Sequence, residues 1–123
     1  MKTTSNLFNC DEELDQFVEE FLNENRIIKK FKGRQFLKDM IIYSVNYNNE
    51  YYCLPNIEQT YRRVQVKNDE KTWFNVRRLA DYACNDFYKR NGNKSLATAP
   101  SVFLMKAVLF VNEKREEIKR NEN

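Results

Sequence analysis

Histidine is absent from this chain of 123 residues. That removes the side chain most often used as a general base near neutral pH, and also the commonest metal ligand. No G-x-S-x-G elbow, P-loop or dinucleotide fingerprint is present either. The sequence therefore nominates no catalytic group, and the expectation is a non-enzyme without cofactor or metal. Glycine and proline occur only twice each, too few for a turn-rich all-β fold, which points to helices. The three cysteines, Cys10, Cys53 and Cys84, are odd in number and form no C-x-x-C pair. Neither a disulfide framework nor a zinc site is expected, and Cys84, on an apolar helix face, reads as a small core residue. No apolar run approaches the roughly 18 residues that cross a bilayer, and the start "MKTTSNLFNCDEE" lacks an apolar signal core. The expectation is a cytoplasmic protein with no membrane partner.

What is present suits one core. Hydrophobic residues make up 41% and charged residues 32%, which supports a single solvated domain over 1–123. Helices are expected over about 10–119, with a frayed tail at 120–123. The net charge is only +3, but it is uneven. Residues 11–24 hold seven acids and no base, whereas residues 26–106 hold 16 Lys/Arg against 7 Asp/Glu. A basic body behind an acidic first helix suits an anionic partner, nucleic acid first; ordinary solvated charge is the alternative.

Hydrophobic periodicity predicts five helices in an all-α bundle, with no strand. The first covers about 10–24, with Leu14, Phe17, Val18, Phe21 and Leu22 on one stripe and Asn9 as its cap, Glu12 completing a capping-box-like pair. Arg26, Lys29, Lys30, Lys32 and Arg34 cluster around Gly33, read as a bend. The second helix covers about 34–46 and gives way to an Asn-rich connection, "NYNNEYY", at 46–52. The third starts near Leu54 with Pro55 in its first turn and carries Leu54, Ile57, Tyr61 and Val64 inward. The fourth lies in "KTWFNVRRLADYACNDFYKRNG", residues 71–92. The turn formers "NGNKSLATAP" lead to the fifth, about 100–119, which is apolar almost all round. Such a helix is either central to the core or shared with a second copy.

The fourth helix has two faces at 100° per residue. Trp73, Val76, Ala80, Ala83, Cys84 and Phe87, flanked by Leu79, form a core face. Phe74, Asn75, Arg78, Asp81, Tyr82, Asn85 and Lys89 point the other way. A helix in the major groove reads bases from its exposed N-terminal turns. Arg suits guanine, Asn suits adenine, and Phe suits the thymine methyl. Tyr, Lys and Arg suit phosphates. The same mixture suits a protein surface, and Asp81 is repulsive opposite phosphate.

The chain resembles a known family at this point. "LDQFVEEFLNENRIIKKFKGRQFLKDMI", "LPNIEQTY", "NVRRLADYA" and "TAPSVFLMKAVLF" resemble, in order and spacing, the C-terminal DNA-binding domain of the sporulation response regulators, the stage zero sporulation protein A family. The similarity spans about residues 12–118. It implies a compact bundle with a helix-turn-helix-like unit, bound to double-stranded promoter DNA, often as paired copies, and in contact with RNA polymerase. By position, Asn75, Arg77 and Arg78 match the DNA-facing start of the family's recognition helix. Three departures stand out. Asp81 occupies a position the family usually makes basic. The link from Tyr61 to Val76 is several residues longer than the family's tight turn. The sequence also begins without the receiver domain that normally precedes this module; if it is the full-length protein, the expectation is that it has no phosphoacceptor switch.

Two functions follow as expectations. One is a DNA-binding regulator with Phe74, Asn75, Arg77, Arg78, Tyr82 and Asn85 on the reading face and Arg62, Arg63, Lys67 and Lys89 at phosphates, possible as a homodimer through 100–119. The other is a protein-interaction module or antagonist in a regulatory pathway. The start of the fourth helix separates them. If Thr72 caps it, Phe74 and Asn75 occupy the first turn. If Asn68 caps it, Asp69 and Glu70 do, and they repel phosphate.

Overall fold

Asp11, not Asn9, starts the first helix, because its side chain accepts a hydrogen bond from the Leu14 N–H at 2.8 Å. Acids at Glu12, Glu13 and Asp15 then meet the positive end of the helix dipole. The computed structural model describes residues 7–92 and 98–122, and every regular element among them is helical. In order they are α1 (Glu12–Glu24), α2 (Lys32–Tyr51), α3 (Ile57–Lys67), α4 (Trp73–Arg90) and α5 (Pro100–Glu122). The expected all-α bundle of five helices is the observed one. Of the turn-rich stretch 91–100, residues 93–97 lie outside the described residues, as does Asn123 of the expected tail.

Four further boundaries differ from the sequence reading. The second helix is longer at both ends. Its Asn-rich end has poor intrinsic propensity, but tertiary partners outweigh that. The Asn46 amide donates to the Leu7 and Asn9 carbonyls at 2.7 and 2.8 Å, and Tyr43, Tyr47 and Tyr51 form an i, i+4 ladder of rings. At the other end Gly33 is no bend. It lies in the first turn of α2, buried against α4: a Cβ there would come within 2.6 Å of the Leu79 carbonyl carbon and 3.0 Å of the Ala83 Cβ. The glycine is required by close helix approach, with no unusual backbone angle. The third helix begins later than expected, since Asn56 caps it through Glu58 and Gln59 N–H. Pro55 therefore precedes the helix, and Leu54 is exposed instead of facing the core. The last helix continues to Glu122, through most of the stretch expected to fray.

The core is one continuous cluster fed by all five helices. α2 lies at its centre and packs on every other helix. Its Phe36, Leu37, Met40, Ile41 and Val45 are fully enclosed, each worth about 1.5–3 kcal/mol relative to exposure. Arg34, one of the cations clustered around Gly33, is also interior. It donates to the Ile27 carbonyl (2.6 Å), Glu19 (2.7 Å) and Asn23 (3.2 Å), tying α1 and the 25–31 connection to α2. α5 is buried along one side only. Phe103, Leu104, Ala107, Val108 and Val111 are buried, while Val102, Met105 and Leu109, at i, i+3, i+7, form an exposed stripe.

Candidate nucleic-acid interface

The long connection between α3 and α4 is absorbed by a firm helix end. The Asn68 and Asp69 N–H groups return to Val64 and Val66, and the Glu70 N–H reaches back to the Gln65 carbonyl at 3.0 Å. Asp69 takes φ 54°, as the residue after such a helix end commonly does. Asn68 is thus the end of α3, not the start of α4. Its amide donates to the buried Asp39 at 2.9 Å, which also takes Lys67 at 3.2 Å. Glu70 pairs with Lys32 at 2.6 Å, so it does not face the start of α4 as a bare charge.

Thr72 caps α4, its hydroxyl accepting from the Asn75 N–H at 3.2 Å. The first turn therefore carries Trp73, Phe74 and Asn75 and no acid. Here α4 begins beside the starts of α3 and α5, and the three enclose an open groove of about 680 Å³. Phe74, Asn75, Arg77 and Arg78 line it together with Tyr61, Trp73 and Asp81. Arg77 and Arg78 are exposed. They make no ion pair among the described residues.

Aromatic rings form the groove's floor and lip. Tyr61 is stacked near Trp73 (6.0 Å, 13°), and Trp73 stacks on Phe74 (4.1 Å, 21°). The Arg62 guanidinium lies over the Trp73 ring at 5.2 Å and also pairs with Glu58 at 3.2 Å. Burial pushes the Tyr61 phenol up, opposed by the nearby Arg77 and reinforced by Asp81, so it stays protonated at neutral pH. Phe74, at 58% exposure, is the open end of this run of rings.

The other candidates divide. Arg63 and Lys89 are exposed but lie off the groove. Lys89 is roughly 22 Å from Phe74 along the axis at 1.5 Å per residue. Lys67 is committed to Asp39 and sits over the Phe8 ring. Tyr82 is half exposed, its ring edge-on to Phe31. Asn85 is a correction: it is 3% exposed and holds the backbone of Thr98, which leaves it no face for a partner. Helical spacing placed it outward because asparagine is usually solvated, and no sequence signal revealed a partner 13 residues away. Tyr61 and Trp73 were read only as core, yet they also line the groove, as do Ala99, Pro100 and Ser101. The adjacent Trp73-Phe74 pair behind a Thr cap was the available hint.

Three cations are held by the acidic first helix. Lys38 pairs with Asp15 and Glu19, Arg34 with Glu19, and Lys114 with Glu20, all acids of α1. Among the described residues no cluster of acids, thiols or imidazoles could hold a metal ion, and no helix is long and apolar enough to cross a membrane. Cys84 is buried, and burial pushes its thiol up to about 12, with Asp81 adding to the rise and Lys106 opposing it. No family model, no curated protein and no solved structure gives a match to this chain.

Proposed function

We propose that this chain is a DNA-binding transcriptional regulator that presents the first turns of α4 to double-stranded DNA. The observation that carries the reading is the Thr72 cap: Phe74 and Asn75 lie in the first turn, followed by the exposed Arg77 and Arg78, with no acid before Asp81. Helices that enter the major groove read base edges from these turns. Asn75 and Arg78 are the readers, and Arg77, Arg63 and Tyr82 hold phosphates; Arg62 and Lys67 reach phosphate only by leaving their acid partners. The resemblance to the sporulation regulators' effector domain favours the same role, with RNA polymerase as a further partner of that class. A mobility-shift assay on genomic fragments tests the reading. Arg78→Ala should weaken specific binding by about 1–3 kcal/mol. A wild-type protein that retains no duplex over competitor DNA, even at low salt, ends this proposal.

A protein partner is the second reading, and the exposed stripe Val102, Met105 and Leu109 on α5 is what favours it. In that reading the chain is a protein-interaction module or antagonist that does not bind DNA, and a second copy is one occupant that would cover the stripe. Sedimentation of the wild type and of Leu109→Glu distinguishes dimer from monomer.

A further inference from the structure

Phe74 has a geometry that base-edge reading does not use. Its ring lies near-parallel to Trp73, which lies near-parallel to the buried Tyr61. A flat apolar ring, more than half exposed at the end of such a run, offers stacking area to another flat ring. Bases within a duplex have both faces covered by their neighbours and offer only their edges. A base can lie against Phe74 only when it has left its stack.

We propose that the groove takes an unpaired, unstacked base of DNA, seated on Phe74. The inference rests on the reading that the start of α4 meets nucleic acid. The groove's volume of about 680 Å³ leaves ample room for one base, and Arg77 and Arg78 on its wall suit the flanking phosphates. Asp81 then gains a role. It repels phosphate, but on the groove wall its carboxylate is a fixed acceptor, because Asn85 donates to its Oδ1 at 3.1 Å and to its backbone carbonyl at 3.3 Å. A fixed carboxylate accepts from an N–H on the edge of an unpaired base, whether the exocyclic amine of adenine, cytosine or guanine or the ring N3–H of thymine.

The test compares a perfect duplex with the same duplex carrying a one-nucleotide adenine or thymine bulge, followed by anisotropy of labelled DNA at one salt concentration. Trp73 is the only tryptophan and touches Phe74, so its emission reports occupancy directly. The adenine bulge should bind about 5- to 100-fold tighter than perfect duplex, the range that ring–base stacking provides, with quenching of Trp73. Phe74→Leu should bring the ratio of bulged to perfect affinity close to one, and Phe74→Tyr, which keeps the ring, should preserve it. Equal binding of bulged and perfect duplex, or a ratio untouched by Phe74→Leu, overturns the inference while leaving duplex binding intact. Failure to bind any of these DNAs removes both this inference and the function proposed above.

Discussion

Asn85 holds Thr98 by both of its backbone groups: the Thr98 N–H donates to Asn85 Oδ1 at 2.7 Å, and Asn85 Nδ2 donates to the Thr98 carbonyl at 2.9 Å. One amide thus acts as a neighbouring strand would, and it fixes the residue from which Ala99 and Pro100 begin α5. Those two residues wall the groove. Asn85→Ala leaves a part-buried N–H and C=O without these partners. The expected loss is about 2–3 kcal/mol, read as a lower midpoint in urea unfolding.

The crossing of α2 and α4 is set by Gly33. An added methyl would meet the Leu79 backbone, which cannot rotate away as a side chain would. Gly33→Ala is expected to destabilise by at least about 2 kcal/mol, at the upper end of overpacking effects. Thermal unfolding followed by circular dichroism checks this, and a stability equal to the wild type would mean that the two helices can separate at little cost.

Acid unfolding should centre on α1. Burial works to raise the Glu19 pKa, but hydrogen bonds from Lys38 and Arg34 outweigh it, and the net result is below the ordinary carboxylate value. A carboxylate lowered in the folded state contributes stability above its unfolded pKa, and that contribution is lost as pH falls through the folded value. Glu19→Gln should therefore flatten the stability profile below about pH 4.5, and lower stability at neutral pH by about 1–3 kcal/mol because Arg34 stays buried with a weaker partner. Denaturant midpoints between pH 3 and 7 give both numbers.

At the alkaline end Cys84 acts in the opposite sense. Its folded pKa of about 12 exceeds the ordinary 9.0. The folded state thus keeps its proton when the unfolded chain has lost it, and stability falls as pH rises from 9 toward 12, with a slope of up to about 1.4 kcal/mol per unit. The thiols should also separate by reactivity. Cys10 and Cys53 are exposed and Cys84 is buried, so a thiol reagent should modify two groups in the native protein and the third only on unfolding. Rapid reaction of all three would contradict the enclosed position of Cys84.

The number, order and faces of the helices were legible because apolar residues recur at helical spacing, and Leu14, Val18, Val76 and Ala80 lie inside as that spacing requires. The Thr72 start was legible as one of two options, and hydrogen bonding selected it. What failed to show depends on neighbours distant in sequence. Gly33 reads as a bend until Leu79 is known to press on it. The Asn-rich end of α2 reads as a loop until Leu7 and Asn9 supply acceptors. Asn85 reads as a surface amide until Thr98 comes within reach. Arg34 reads as one of the cations clustered around Gly33 until three acceptors from α1 and the turn after it close around it. The groove needs three helix starts at once, and no local pattern encodes that.

The pairing of α1 acids with Arg34, Lys38 and Lys114 has a kinetic consequence. It consumes cations on α2 and α5, while Asp11, Glu12, Glu13 and Glu24 remain exposed on α1 and Arg77 and Arg78 remain exposed on α4. The charges left exposed on those two helices are of opposite sign, which the modest net charge conceals. If α4 meets DNA as proposed above, that asymmetry turns its start toward the polyanion before contact, and added salt slows the encounter by removing the alignment.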